Sequence, residues 1–172
     1  MNEEEQNIVL NFFLHRISED ELLRRFRIGR SDGMSFALRV LGEAYRAKDA
    51  GSVECGLGLG FHFGMSPQFF DILVKLSDAE WHERHEDVVT ALNELHDSRS
   101  VEALYRAALK RHPYLGYDNA RALAVKAVWA LGNLGDTSAD EKLRVLAKSD
   151  DGILRREAEN QLLRRQTGTA SP

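Results

Sequence analysis

The chain has 172 residues, of which 43% are hydrophobic and 29% are charged, and its formal net charge is −4. This composition is typical of a soluble globular protein and excludes a disordered chain. Residues 1–80 carry 9 basic and 13 acidic side chains, and residues 81–172 carry 14 of each, so neither half has the basic excess of a nucleic-acid-binding surface.

The sequence favours a cytoplasmic protein without a membrane segment. The most apolar run, 55–65, contains four glycines and a histidine and is far shorter than the roughly 20 residues that span a bilayer. The first six residues are acidic, whereas a secretory leader begins with basic residues. Cys55 is the single cysteine, so an intramolecular disulfide is impossible.

Apolar residues recur at helical spacing near the start of the chain. The first predicted helix covers residues 3–16, where three glutamates precede an apolar stripe. Ser18 and Glu21 form the pattern of a capping box, which predicts a second helix at 19–27 that Gly29 ends.

A third helix follows Ser31-Asp32-Gly33, and Ser66-Pro67 has the pattern of another helix start. Between them, residues 52–63 are ambiguous because glycines alternate with apolar residues. Alternation suits a strand, but a helix whose glycines allow the backbone of a neighbouring helix to approach is the interpretation we favour. The glycines are Gly56, Gly58 and Gly60.

Residues 86–97 and 125–136 align without gaps at an offset of 39 residues. Positions identical in the two copies include Ala91/Ala130, Leu92/Leu131, Leu95/Leu134 and Asp97/Asp136. Such a period is typical of stacked repeats. The predicted helices of this part of the chain are 82–96, 99–110, 118–134, 138–148 and 151–165.

The Ala-Leu-Gly-x-Leu-Gly-Asp motif at 130–136 resembles HEAT repeats, most closely the short bacterial HEAT-like type. The resemblance covers about 81–165. It implies an all-α fold, an α-solenoid of antiparallel helix pairs that binds another macromolecule. Residues 1–80 would be atypical N-terminal helices of the same single domain, 1–165, and residues 166–172 a disordered tail.

The function implied by the resemblance is a non-enzymatic protein–protein binding module. Some helical-repeat proteins of this size are immunity proteins that neutralise a bacterial toxin by direct binding, and toxin binding is one expectation here. The alternatives are a nucleic-acid-binding HEAT-like protein and a scaffold or chaperone-type relative of phycobilin lyases. No catalytic residue, metal or cofactor is predicted, and the expected partner is another protein.

Differences between the repeat copies indicate where a partner would bind. Trp129 aligns with Thr90 and Asn160, so it should face away from the core of the repeats, either against the N-terminal segment, which we favour, or as an exposed anchor. Tyr105 aligns with Arg144, which predicts that its phenol reaches solvent.

Two further segments supply candidates. On a helix, His82, His85 and Glu86 would share one face, either as a solvated first turn, which we favour, or as a binding surface or metal site. The loop 112–118 lengthens the connection between repeats. The candidate protein-binding residues are Trp81, His82, Tyr105, Tyr114, Tyr117, Asp118 and Trp129.

Three other features favour a structural role. The glycine row lacks the Lys-Ser/Thr of a phosphate loop. Cys55 lies in an apolar run and is predicted to be inert. A basic cluster at 155–165 could contact phosphate, but arginines that complement a helix end are the interpretation we favour.

Overall fold

The computed structural model describes residues 1–117 and 121–168, which are helical with no β-strand among them. This confirms the predicted all-α class. The chain divides into two compact units. Unit 1 contains Met1–Ile72 and Trp81–Arg84, and unit 2 contains Leu73–Glu80 and the chain from His85 onward. In the described part, no helix is both long and apolar enough to cross a bilayer.

The prediction of one domain over 1–165 stays a prediction. Unit 1 contains four complete helices, and α5 passes from it into unit 2. Their bounds are α1 Glu3–Phe13, α2 Glu19–Phe26, α3 Gly33–Ala47, α4 Ala50–Phe63 and α5 Phe70–Asp78.

Local side-chain contacts fix the first two helix starts. The Asn2 side chain accepts a hydrogen bond from the Glu5 N–H at 2.9 Å, and the Glu5 carboxylate accepts the Asn2 N–H in return. Ser18 accepts the N–H of Glu21 at 3.2 Å. The predicted stop at Gly29 is wrong, because α2 ends where Arg27 adopts a left-handed conformation with φ 55°.

Residues 52–63 are helical, as we favoured, but the glycines serve another purpose than the one predicted. A Cβ atom on Gly56 would lie 2.7 Å from the Leu41 side chain, and one on Gly58 would lie 2.7 Å from the Phe13 ring. The missing side chains therefore make room for large side chains of α3 and α1, not for a neighbouring backbone.

Unit 2 contains the predicted repeats. Its helices are α6 His85–Leu95, α7 Val101–Leu109, α8 Ala122–Leu134, α9 Thr137–Leu146 and α10 Gly152–Gly168. The central helix α8 packs against α6 and α10, which are the first helices of the adjacent repeats, and also against α7 and α9. This packing of successive helix pairs confirms the predicted α-solenoid arrangement.

Several predicted boundaries need correction here. The helix predicted at 118–134 begins at Ala122, because Arg121 before it has a left-handed conformation. The helix predicted at 82–96 begins at His85, so His82 precedes it and does not share a helical face with His85 and Glu86. Helix α10 continues to Gly168, three residues into the predicted tail.

The repeated aspartates begin the second helix of each pair. The Asp136 carboxylate accepts the N–H of Ala139 at 2.8 Å, and the Asp97 carboxylate accepts the N–H of Arg99 at 3.0 Å. The preceding residues, Gly135 and His96, both adopt left-handed conformations, with φ 75° and 48°. Both turns therefore place a left-handed residue directly before the aspartate, although their sequences differ.

Stacking brings several polar residues of one repeat beside the residue 40 positions later. Four polar pairs have this separation: Glu86–Lys126 at 3.0 Å, Asn93–Asn133 at 2.9 Å, Glu102–Lys142 at 2.7 Å and Arg111–Asp151 at 3.3 Å. These paired residues of adjacent repeats are therefore 40 positions apart, one more than the 39-residue period of the sequence. The alignment gave no sign of these pairs.

Candidate protein-binding site

Trp129 lies on the surface of unit 2, with 47% of its area exposed. Its position on α8 follows from the helical period, because Val128 and Leu131 on the opposite side are buried. The indole Nε1 donates a hydrogen bond to Glu157 of α10 at 3.1 Å. The ring is therefore held in one orientation while much of its apolar area stays in contact with water.

A shallow groove of about 250 Å³ borders the indole between α6 and α8. We call it the tryptophan groove; its residues are Val89, Thr90, Asn93, Val125, Lys126, Trp129, Ala130 and Asn133. Apolar walls with a few amide and hydroxyl groups at the rim are typical of sites that bind another macromolecule. Thr90, the repeat equivalent of Trp129, lines the same groove.

The polar rim of this groove is ordered by contacts between repeats. Asn133 bonds to Asn93 and to Arg164, at 2.9 and 2.7 Å. The hydrogen bond from Trp129 lowers the pKa of the Glu157 carboxyl. Burial opposes this shift, and the Arg156 guanidinium lowers the pKa further. Glu157 is therefore an anion at neutral pH, and it fixes the indole as a charged acceptor.

Tyr105 is partly buried on α7. The Lys142 ammonium of α9 lies 4.6 Å from the centre of its ring, a cation–π contact between adjacent repeats. Lys142 also pairs with Glu102 at 2.7 Å. Tyr105 thus contributes to stacking between repeats, and the exposure of its phenol stays a prediction.

The loop candidates separate into one anchored and one exposed tyrosine. The Tyr114 hydroxyl lies 3.0 Å from His85 Nδ1, and His85 Nε2 lies 2.7 Å from the Ala79 carbonyl oxygen. His112 stacks on His85 with 3.7 Å between ring centres. Tyr117, in contrast, is 82% exposed. Asp118 lies outside the described residues.

Trp81 and His82 belong to unit 1. His82 is 2% exposed, and its Nδ1 accepts a hydrogen bond from the Arg84 N–H at 3.1 Å. Trp81 is partly buried, with 6.1 Å between its ring centre and that of Tyr45. His82 precedes α6 and is buried, so it presents almost no surface to a partner.

A larger cleft, of about 450 Å³, lies beside α10. The single carboxylate among its described lining residues, Asp151, pairs with two arginines, with Arg111 at 3.3 Å and with Arg121. Although burial opposes the shift, hydrogen bonds from the Leu154 N–H and Arg121 lower the pKa of Asp151. The described lining holds three cations, Lys110, Arg111 and Arg121, and one carboxylate, so it has a small basic excess.

The basic cluster of α10 also acts within its own unit. Arg155 donates to the Ser149 carbonyl at 2.9 Å, Arg164 to Asn133, and Arg165 to Asp140 at 2.5 Å. Arg156 pairs with Glu157 at 2.9 Å. These contacts favour the structural interpretation of the cluster over phosphate binding.

Cys55 is buried in unit 1 at 7% exposure. Burial first, and then the neighbouring Glu54 and Asp49 carboxylates, raise the pKa of its thiol to about 11. The thiol is therefore protonated at neutral pH and is a poor nucleophile. Among residues 1–117 and 121–168, no cluster of three His, Cys, Asp or Glu side chains could hold a metal.

The sequence indicated Trp129 but missed the groove around it. Only the difference between Trp129 and Thr90 was visible along the chain, whereas Asn93, Lys126 and Asn133 carry no motif. Their proximity depends on the packing of α6 against α8. A search for polar residues 40 positions apart could have found the Asn93–Asn133 pair.

Comparison with known families gives one match. Residues 121–149 match the family model described as PBS lyase HEAT-like repeat, which corresponds to α8, the Asp136 turn and α9. No curated protein and no solved structure matches the chain. The stacked helix pairs and this match confirm the resemblance read from residues 130–136: the chain contains a HEAT-like repeat of this family at residues 121–149.

Proposed function

We propose that this chain is a non-enzymatic protein-binding module that uses the tryptophan groove as its contact surface. The observation that carries the proposal is Trp129, 47% exposed yet held by Glu157. A large aromatic ring held in one orientation loses little conformational entropy when a partner covers it, and such residues dominate binding hot spots. Tyr117, 82% exposed, is a second aromatic contact of the proposed surface.

The finer proposal is that the partner is a toxin and that the chain acts in the cytoplasm as a bacterial immunity protein. It rests on the combination of helical repeats with an aromatic anchor, together with the analogy to repeat proteins that neutralise toxins by covering them. A direct-binding inhibitor needs a rigid surface and no chemistry of its own, which suits a stack of short helix pairs.

The test begins with co-expression of the chain with the product of the adjacent open reading frame, followed by purification of the complex and calorimetric titration. Trp129→Ala should weaken binding by about tenfold or more, as expected for a hot-spot tryptophan. The loss arises because the variant removes apolar contact area at the centre of the surface.

Leu163→Ala is the matched control, since Leu163 is a 61% exposed apolar residue elsewhere in unit 2; it should bind like the wild-type chain. Equal affinity of the Trp129→Ala and wild-type chains would rule out this groove as the interface. A ligand-dependent turnover by the purified chain, without any protein partner, would rule out the module itself.

A second candidate is a scaffold or chaperone-type relative of phycobilin lyases, which the description of the matching family model favours. The cleft of about 450 Å³ beside α10 would be its site. Titration with a linear tetrapyrrole, followed by its visible absorbance, separates the two functions: saturable binding that Arg121→Ala abolishes supports this candidate, and unchanged spectra eliminate it.

A further inference from the structure

Unit 1 carries an exposed apolar strip on its first helix. Leu10 is 50% exposed, Phe13 is 38% exposed and Leu14, which caps the helix, is 49% exposed. Their i, i+3, i+4 spacing places them side by side on one face. Isolated exposed apolar residues are normal, but a contiguous strip indicates an interaction surface.

The strip borders a groove of about 440 Å³ between α1 and α4. Its floor is apolar, formed by Val9, Leu10, Phe13 and Cys55, and its rim holds Glu3, Gln6, Asn7 and Glu54. We call it the α1 groove. The groove is narrow at Gly51, where a Cβ atom would lie 2.8 Å from the Gln6 side chain, so helix α1 lies close against α4.

Negative charge predominates around the α1 groove, although the N-terminal ammonium lies 3.9 Å from the Asp49 carboxylate. Helices α1 and α4 contain four glutamates and no lysine or arginine. Glu54 pairs with Arg84 of the same unit, whereas Glu3 and Glu4 are exposed at the first turn of α1. An apolar groove beside exposed carboxylates complements a helix with an apolar face flanked by cations.

We propose that the α1 groove docks a basic amphipathic helix of a partner protein, with apolar residues at i, i+3 and i+4 and lysine or arginine beside them. This is the helix-in-groove mode of recognition. A second copy of the chain fits less well, because its arginine-rich helix α10 uses Arg156, Arg164 and Arg165 for contacts within its own unit.

The probe is a fluorescein-labelled peptide of leucine and lysine, about five helical turns long, with leucine at the anchor positions. Fluorescence anisotropy with the full chain should show saturable binding. The double variant Leu10→Ser, Leu14→Ser should weaken it by about tenfold or more. Glu3→Lys with Glu4→Lys should also weaken it, and more so at low salt, because exposed charges are screened by ions.

Three controls make the result specific. A peptide with glutamate in place of lysine should bind much more weakly, Leu163→Ser should bind like the wild-type chain, and far-UV circular dichroism should show that every variant is helical. Hydrogen exchange of the wild-type chain should show protection in α1 and α4 when the lysine peptide is present, a readout that does not depend on any variant.

The proposal is overturned if the glutamate peptide binds equally well, if the Leu10 and Leu14 variant keeps full affinity, or if protection falls outside α1 and α4. A dimer in sedimentation that Leu10→Ser dissociates would assign the groove to a second copy instead. The α1 groove shares no residue with the tryptophan groove, so Trp129→Ala should leave peptide binding unchanged and the two proposals can fail separately.

Discussion

At the scale of single residues, the ends of helices show how different side chains meet one backbone requirement. In the part of the chain that the structure describes, five non-glycine residues have left-handed conformations: His15, Arg27, Lys48, His96 and Arg121. The first four follow a helix, where that conformation lets the chain leave the helical path, whereas Arg121 precedes α8. In the repeats, His96 performs this role in the first copy and Gly135 in the second.

This pair yields a prediction about stability. Gly135→Ala should lower the free energy of unfolding by about 1 kcal/mol, because a Cβ atom is disfavoured in the left-handed region. His96→Gly should raise it by about 0.5 kcal/mol, since relief of the same strain is partly offset by the greater entropy of glycine in the unfolded chain. Urea unfolding followed by circular dichroism measures both.

A decrease in stability for His96→Gly would mean that the contact of the His96 ring with the Glu94 carbonyl, at 3.2 Å, outweighs the backbone strain. In that case the two turns would be alike in shape but not in energetics.

At the scale of helices, packing decides which glycines are required. Gly56 and Gly58 of α4 accommodate Leu41 and Phe13, whereas Gly42 of α3 has only the Arg46 guanidinium near its Cβ position, at 3.8 Å. All three look alike in the sequence, as glycines within helical segments that cost helix propensity.

Substitution by alanine should therefore have opposite effects. Gly56→Ala should destabilise the chain by about 1–3 kcal/mol, because a methyl group there overlaps the Leu41 side chain. Gly42→Ala, the matched control, should stabilise it by about 1 kcal/mol through helix propensity alone. Thermal and urea unfolding measure the difference; a Gly56→Ala chain as stable as Gly42→Ala would contradict the observed α3–α4 packing.

At the scale of the whole molecule, paired carboxylates make stability depend on pH. Asp49, Asp97, Asp151 and Glu157 all have lowered pKa values. A carboxyl group whose pKa is lower in the folded than in the unfolded chain stabilises the fold above its unfolded pKa. That contribution is lost as pH falls through the folded value, so acid should unfold the chain by protonating these groups.

Asp151→Asn tests this dependence. Asparagine can still accept the N–H of Ile153 at the start of α10, but it cannot pair with Arg111 and Arg121. The variant should be less stable than the wild-type chain at pH 7. As the pH falls from about 5 to below 3.8, the ordinary pKa of an aspartate carboxyl, its free energy of unfolding should decrease less than that of the wild-type chain.

Urea unfolding at a series of pH values measures this slope, with Asp150→Asn as the neighbouring control. An Asp151→Asn chain with the same slope as wild type would show that the bridges to Arg111 and Arg121 contribute little to stability in solution.

The sequence by itself determined the helix pairs, the repeat period and the starts of the second helices at Asp97 and Asp136. These features depend on contacts between residues a few positions apart, such as the 3.6-residue period of an apolar face and the bond from a capping carboxylate to a nearby N–H. Such contacts can be predicted from neighbouring residues in the sequence, so even the ambiguous segment 52–63 could be interpreted as a helix.

Only the tertiary structure decided which apolar faces are covered. The periodicity of α1 predicts one apolar stripe, yet Val9 is its only fully buried residue and Phe13 and Leu10 border an open groove. His82 is buried and Trp129 exposed for the same reason. The exposure of a side chain depends on how helices distant in the sequence pack against each other. The contacts between residues 40 positions apart depend on the same packing, which neighbouring residues in the chain do not determine.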